Sequence, residues 1–333
     1  MKPVNKNDHL GYLEENKLTF HKELSAVILA GGMGSRLNPE LKRISLENYP
    51  KMSAQFDGEV GPKGMTKMSC DLSGESISKP LNDWHLDIHC QSEEIQKFYL
   101  SLGCRADILS DYYQQQYQQN YKGREIEFLF ESKPAGTAAP LVKLLLEGRL
   151  DDTPLIYANG DNLIDLDLYE VYLSGLVKAH KAGLNLDALV IDVLALVPWE
   201  DSHNYGTVDL NQDTGQVLSF KEKAPIEENS YVELKDQKYS FINSGFSIIN
   251  NPAYFMQHYV SDELIETSTK LEAGELAYSD YEKVVKYETI YSLVAQERNM
   301  IGVFAESYWT DLGTEEKIAL AEKHFPNSKL FKD

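Results

Sequence analysis

The chain is short of positive charge. Its 333 residues carry 32 Lys and Arg against 52 Asp and Glu, a formal net charge of -20. A nucleic acid needs a basic surface to neutralise its phosphates, so this balance excludes one as a partner. Small phosphorylated ligands are not excluded, because a few local donors and a divalent cation can hold them in an acidic field. Long apolar runs are also missing. Nothing approaches the roughly 20 residues of a membrane-spanning helix, and residues 1–22 lack the apolar stretch of a secretory signal. These absences predict a cytoplasmic protein with no membrane partner, and they leave homo-oligomerisation open. Cysteine is scarce as well. Cys70, Cys90 and Cys104 form no CxxC pair and no zinc pattern, and they read as reduced structural thiols. The eight histidines contain no HExxH, which argues against a transition-metal site.

Apolar residues make up 42% of the chain, with 20 Tyr and 12 Phe, enough for a sizeable core. After a polar leader, residues 1–24 with a short helix near His9–Leu18, an apolar β-branched run at 25–30 ends in glycines and reads as a buried parallel strand. Residues 38–78 are polar and weakly periodic, which predicts an extended loop over the site. The pattern is helical from Leu81 and again over 91–102. A strand edge is expected at 106–109 and a Gln/Tyr-rich helix at 112–121. Strands are expected at 126–130, 155–158 and 189–196, with helices at 138–146 and 168–182. This alternation indicates an α/β fold with a mostly parallel sheet. Beyond Pro198 the texture changes. A hairpin is expected over 207–220, a strand at 241–249, a helix at 282–295, an extended segment at 302–305 and a closing helix at 315–324. The second half reads as an antiparallel addition to the same core, so residues 25–325 form one domain with halves 25–197 and 198–325.

Five constellations could carry chemistry. Gly31, Gly32 and Gly34 follow the first strand and precede Ser35 and Arg36. Glycines there let backbone N–H groups turn inward, and the guanidinium can neutralise phosphate. By themselves they also fit a tight turn. The run is neither a GKS/GKT loop nor a GxGxxG loop, because Leu37 stands where a third glycine would. Two prolines aim the lysines that follow them, in Pro50-Lys51 and Pro62-Lys63. Gly136 and Thr137 sit between a strand and a helix, where they suit close approach to a flat ring or simply a helix cap. Gly160-Asp161 ends a strand at the edge where open α/β sheets gather ligands, and an aspartate there suits Mg²⁺. The last set comprises Tyr205-Gly206, Glu222-Lys223, Asn243 with Gly245, and Trp309 to Gly313 around Asp311. Each is weak alone, and Lys223 alone would be a solvated charge.

In this order the pieces resemble the nucleoside-triphosphate:sugar-1-phosphate nucleotidyltransferases, the NDP-sugar pyrophosphorylases. The resemblance runs from about Ala26 to Glu322. It implies a Rossmann-like, mostly parallel sheet flanked by helices, the nucleotide-diphospho-sugar transferase fold. It also implies transfer of a nucleoside monophosphate from an NTP to a sugar 1-phosphate with release of pyrophosphate. Carried over by position, Gly31, Gly32, Gly34 and Ser35 cradle the triphosphate, and Arg36 and Lys63 act at the reacting phosphates. Gly136 and Thr137 lie by the base and ribose. Gly206, Glu222, Lys223 and Asn243 face the sugar 1-phosphate, and Asp161 and Asp311 hold Mg²⁺.

There are departures. Ser35 replaces the usual Thr, Ala139 stands where a glycine is common, and the segment from Arg36 to Lys63 is long. That length offers Lys51 as a rival to Lys63, which is preferred because Gly64-Met65 follows it and Lys79-Pro80-Leu81 comes later. Gly136-Thr137-Ala138-Ala139-Pro140-Leu141 leans to the mannose-1-phosphate guanylyltransferase side. The hexapeptide-repeat β-helix of some relatives is not expected. A catalytically silent nucleotide-sugar-binding homologue is the alternative, and the presence of Arg36, Asp161 and Asp311 argues against it. A dinucleotide-dependent oxidoreductase lacks its third glycine here.

Overall fold

A computed structural model describes residues 6–32, 62–72, 75–103, 105–131, 135–276, 286–304 and 307–325. The organising element is an eleven-stranded mixed sheet. Its parallel centre comprises β1 (Leu24–Leu29), β4 (Ile95–Leu102), β6 (Arg124–Phe130) and β7 (Leu155–Asn159), in the order β7-β1-β4-β6. Helices that bury an apolar stripe cover such a sheet, so its strands read as continuous apolar runs. Ala26, Val27, Leu100, Ile156 and Ala158 are fully buried accordingly. A two-residue strand, β5 (Asn120–Tyr121), closes the β6 edge.

The second half joins this sheet antiparallel. β13 (Gln237–Ile249) pairs with β7 through Phe246–Ile249, and along its length with β9 (Val190–Pro198). β14 (Met300–Phe304) adds to β9 in parallel, and the hairpin β10 (Gly206–Leu210) and β11 (Val217–Glu222) extends the other side. A short strand, β12 (Val232–Leu234), pairs with the start of β13. One sheet therefore runs through both halves, as expected. Between Asn243 and Ser247 the register against β9 shifts. Gly245 sits in this irregularity at φ +85°, where a Cβ would lie 1.8 Å from Asn162 Nδ2, so only glycine fits.

Nine α-helices lie among the described residues. The first four are α1 (Lys6–Glu15), α2 (Leu81–His89), α3 (Ala106–Tyr117) and α4 (Ala139–Leu146). They are followed by α5 (Leu168–Lys181), α6 (Pro252–Tyr259), α7 (Asp262–Glu272), α8 (Tyr287–Gln296) and α9 (Glu315–His324). α5 opens with Asp167 accepting from the Tyr169 and Glu170 amides, and Lys178 and Lys181 close it, as capping and the helix dipole favour. The leader helix α1 docks on α5. Its Leu13 is fully buried, and the Tyr12 hydroxyl meets His180 Nδ1 at 3.0 Å. α2 is buried along its whole length. Its Asp83 carboxylate accepts from the hydroxyls of Tyr112, Tyr113 and Tyr117 at 2.7–2.9 Å.

Three local expectations fail. Residues 95–102 are the central strand β4, not helix, because a strand buried on both faces loses the alternation that marks one. Residues 106–109 are the first turn of α3, not a strand edge. Within the expected loop, Lys67–Leu72 (β2) and Glu75–Pro80 (β3) pair as a separate antiparallel hairpin. Only its inner face is apolar, where Met68 and Cys70 are buried.

Trp84, on α2, pins that hairpin to its helix and to Phe325 at the end of α9. It is fully buried, donates to Met68 O at 3.0 Å and packs edge-on against Phe325. Trp84→Ala should lower the unfolding free energy by about 3–5 kcal/mol in urea titration; a loss under about 1 kcal/mol would mean that the site collapses freely.

Candidate active site

A cleft of about 850 Å³ opens beside the carboxyl ends of β1 and β7, where Leu29 and Asn159 line it. This is where an α/β sheet collects ligands, because the chain leaves the strand ends through adaptable loops. Asp161 follows β7. A short strand, β8 (Asn162–Ile164), pairs antiparallel with β15 (Trp309–Asp311), setting Asp311 against Asn162. The Leu312 amide then donates to Asp161 O at 2.6 Å. Two aspartates distant in sequence are thus joined by main-chain bonds in one cleft.

Each of these carboxylates holds an ammonium. Lys63, on a 3-10 turn Lys63–Met65, donates to Asp161 Oδ2 at 2.5 Å. Lys317, on α9, pairs with Asp311 Oδ2 and lies 3.2 Å from the Tyr205 hydroxyl, which itself donates to Asp311 at 3.1 Å. Burial works against charge on Asp311, but Lys317, the Gly313 amide and the Tyr205 hydroxyl outweigh it and hold its carboxyl below the usual range. Burial likewise opposes charge on Lys317, and its bonds to Asp311 and Tyr205 still raise it. Among the described residues no group of three or more His, Cys, Asp or Glu forms a metal cluster. The donor set nonetheless fits Mg²⁺, which takes one or two carboxylates and completes its shell with water and substrate phosphate. Asp161 and Asp311 would hold it.

The residues that the resemblance assigns to the sugar gather in the same cleft. Gly206, Glu222, Lys223 and Asn243 all line it. A Cβ at Gly206 would lie 2.5 Å from the Phe220 ring and 2.8 Å from Glu222 Oε2, so any larger residue must displace those side chains. Burial raises the Glu222 carboxyl, and Glu288 adds to the rise against the opposing pull of Lys223. Lys223 is largely exposed and lies 3.4 Å from Glu222. Asn243 is engaged from below. Its amide donates to Asp192 Oδ1 at 2.7 Å and to the Tyr291 hydroxyl at 3.0 Å, and its oxygen accepts the Gly245 amide at 2.8 Å.

Of the pair that the resemblance assigns to the nucleotide, Thr137 lines the cleft, but its hydroxyl does not cap its own helix. It donates to Glu288 Oε2 at 2.6 Å and accepts the Tyr287 amide at 2.8 Å, so it caps α8 instead. Gly136 precedes it at φ +100°. Gly31 follows β1 and abuts Gly103, and Gly32 comes next. Gly34, Ser35, Arg36 and Lys51 lie outside the described residues. The cleft also contains side chains that no motif marked: Asp201, His203, Asn204, Tyr287, Glu288, Tyr291 and Lys317. The α8 and α9 residues sit on ordinary amphipathic helices, so only the tertiary fold reveals them.

A family model described as "Nucleotidyl transferase" matches residues 90–327. The D-glycero-alpha-D-manno-heptose 1-phosphate guanylyltransferase of Campylobacter jejuni is 23% identical over 263 residues, 78% of this chain and 92% of that protein. The UTP–glucose-1-phosphate uridylyltransferase of Synechocystis is 24% identical over 224 residues, and the match spans 66% of this chain but only about half of that protein, 49%. A crystal structure of HddC from Yersinia pseudotuberculosis complexed with GMP-PN has the same fold, with a TM-score of 0.55 at 21% identity, covering 91% of this chain and 99% of that one.

Asp192 offers a test of the cleft floor. It is fully buried, and burial pushes its carboxyl up to about 8 against hydrogen bonds from Tyr291 and Asn243. A native carboxyl raised above its unfolded value binds the extra proton in the folded state. Stability should therefore fall as pH rises from about 4 toward 8 and level off beyond. Asp192→Asn, which mimics the protonated form, should flatten that fall when unfolding is measured between pH 5 and 8. A wild-type and variant difference that stays constant across the window would contradict a neutral Asp192.

Proposed function

The chain belongs to the nucleotidyl transferase family, and from that premise we propose that it transfers a nucleoside monophosphate from an NTP to a sugar 1-phosphate and releases pyrophosphate. The observation that carries the reading is the pair of lysine–carboxylate contacts, Lys63–Asp161 and Lys317–Asp311, joined by the Leu312 to Asp161 bond in one cleft. A site for two anionic substrates needs cations that can pass to phosphate oxygens, and carboxylates that can then take a metal. The Lys63 contact supports Lys63 over Lys51 as the family lysine.

The chemistry needs no covalent enzyme intermediate, because a sugar 1-phosphate already offers an anionic oxygen near neutral pH. That oxygen attacks the α-phosphorus in line, and the bond to pyrophosphate breaks. The barrier is repulsion between two anions and the cost of aligning them, so positioning and electrostatics do the work. Gly31, Gly32, Gly34 and Ser35 hold the triphosphate through main-chain and hydroxyl donors. Arg36 and Lys63 stabilise the departing pyrophosphate, and Lys223 holds the acceptor phosphate. Gly136 admits the base closely, while Glu222 and Asn243 frame the sugar. Mg²⁺, held by Asp161 and Asp311, would withdraw charge from the phosphate oxygens. For the base and sugar we favour GTP with mannose 1-phosphate or a related sugar. This rests on Gly136–Leu141 and on the Campylobacter relative, whose name specifies a manno-heptose 1-phosphate and a guanylyl group.

The experiment is pyrophosphate release with Mg²⁺, each of five nucleoside triphosphates and a panel of sugar 1-phosphates. Release should require both substrates, with GTP and a manno-configured sugar 1-phosphate foremost. No release with any pair would sink the enzyme reading and leave the silent homologue. Asp161→Asn should abolish release with the circular dichroism spectrum unchanged. Lys63→Ala should cost about 10²–10³ in kcat, as for loss of one preorganised charge-stabilising donor. Activity within about threefold of wild type would remove either residue from the reacting centre.

A further inference from the structure

The sugar end of the cleft has a wall that no motif marks. It is the 3-10 turn Trp199–Asn204, from which Asp201, His203 and Asn204 line the cleft. The three side chains are exposed, while the serine among them, Ser202, is fully buried. Beneath the turn lies a polar knot centred on Asn229, which is 5% exposed. Its amide donates to Ser202 Oγ at 2.9 Å and to Ala224 O at 3.4 Å, and its side-chain oxygen accepts from Thr207 Oγ1 at 2.8 Å. Its main-chain oxygen accepts from Trp199 Nε1 at 3.1 Å, and Ser202 Oγ donates back to Trp199 O at 2.7 Å. Burying an amide costs free energy unless its bonds are made. A fully satisfied buried network adds little net stability over apolar packing, but it fixes one geometry.

That geometry has two ends. One is the turn. The other is the carbonyl of Ala224, the residue after Lys223, which itself adopts φ +49° and donates its amide to Tyr205 O at 3.0 Å. Asn229 thus sets the spacing between the lysine and the wall. A ring held by its 1-phosphate at Lys223 needs partners for its remaining hydroxyls. The wall supplies a carboxylate acceptor in Asp201 and a donor–acceptor amide in Asn204. His203 adds an imidazole whose Nδ1 is turned to Glu200 O at 2.9 Å, which leaves Nε2 as the acceptor. Glu222 and Glu288 line the same cleft, so a sugar that brought its own carboxylate would meet three like charges.

We propose that the turn Trp199–Asn204 is the acceptor-specificity wall, that Asn229 is the positioning residue holding it against Lys223, and that the acceptor class is a neutral polyhydroxylated sugar 1-phosphate rather than a uronic acid 1-phosphate. The proposal rests on the sugar 1-phosphate reading given above.

Its test is calorimetric binding of mannose 1-phosphate, glucose 1-phosphate and glucuronic acid 1-phosphate, and separately of each NTP with Mg²⁺, alongside initial rates. Asn229→Asp keeps the shape but removes the donations to Ser202 and, more weakly, to Ala224 O. It should weaken sugar 1-phosphate binding and raise that KM about tenfold, the scale of one buried hydrogen bond, while the KM for NTP stays within about twofold. His203→Ala and Asn204→Ala alter exposed side chains and should fold normally, yet change the ratio of kcat/KM between mannose and glucose 1-phosphates. Glucuronic acid 1-phosphate should bind weakly to wild type and better to Asp201→Asn. Three results would each overturn the proposal: equal weakening of NTP and sugar phosphate in Asn229→Asp, an unchanged hexose ranking in both wall variants, or tighter wild-type binding of the uronic acid. Calorimetry needs no turnover. An inactive wild type would therefore overturn the transfer reaction, while the wall is still judged by binding.

Discussion

The site depends on one short piece of antiparallel pairing. β15 lies against β8, and the Leu312 amide closes on Asp161 O. Without it, Asp161 would be a turn aspartate at a strand end, and Asp311 would belong to a distant segment. With it, two carboxylates share a cleft, and each brings a lysine from a different element. Main-chain bonds suit this task, because they fix the two segments without drawing on the carboxylates, which in the proposed reaction would take the metal. The pairing is also supported from the sheet. Asn162 Nδ2 and Trp309 Nε1 both donate to Ser244 O, at 2.8 and 2.7 Å, in the irregular stretch of β13. The Gly245 conformation that makes room for Asn162 is therefore part of the same construction.

The cleft's electrostatics follow from that frame. Asp161, Asp201, Glu222, Glu288 and Asp311 are set against Lys63, Lys223 and Lys317 among the described residues. An acidic cleft for anionic substrates looks contradictory until the cations are placed. In the proposed reaction Lys63, Lys317 and Lys223 would meet the phosphates, while Asp161 and Asp311, which now hold two of these lysines, would take the metal. On that proposal, phosphate binding would be conditional on correct placement, since a displaced phosphate would meet carboxylates. The whole-chain charge of -20 is compatible with the chemistry for the same reason.

Much of this was legible in the residues, and the exceptions have physical causes. The ordered motifs named the family, which the match over residues 90–327 bears out, and they named the mostly parallel sheet with its antiparallel second half. Gly160-Asp161 and the Trp309 to Gly313 segment declared themselves because turn chemistry at strand ends has few spellings. β4 did not, because Ile95, Phe98 and Leu102 also suit one face of a helix, and burial on both faces erases the strand period. The β2–β3 hairpin looked like loop because its outward residues, such as Ser76 and Ser78, are polar. Lys317 and Glu288 were invisible because a charged residue on an amphipathic helix is ordinarily solvated, and only packing turns it into a cleft. The resemblance puts Thr137 by the base and ribose, with a cap of its own helix as the rival, and neither reading foresees that its hydroxyl caps α8.

In the proposed reaction the protein contributes position and charge, and no side chain attacks the α-phosphorus. The stereochemical course of transfer tests that claim most directly. With a nucleoside triphosphate made chiral at the α-phosphorus by sulfur, one in-line displacement predicts inversion in the nucleotide-sugar product, read by ³¹P NMR. Retention of configuration would mean two displacements through a covalent enzyme intermediate, and would contradict it.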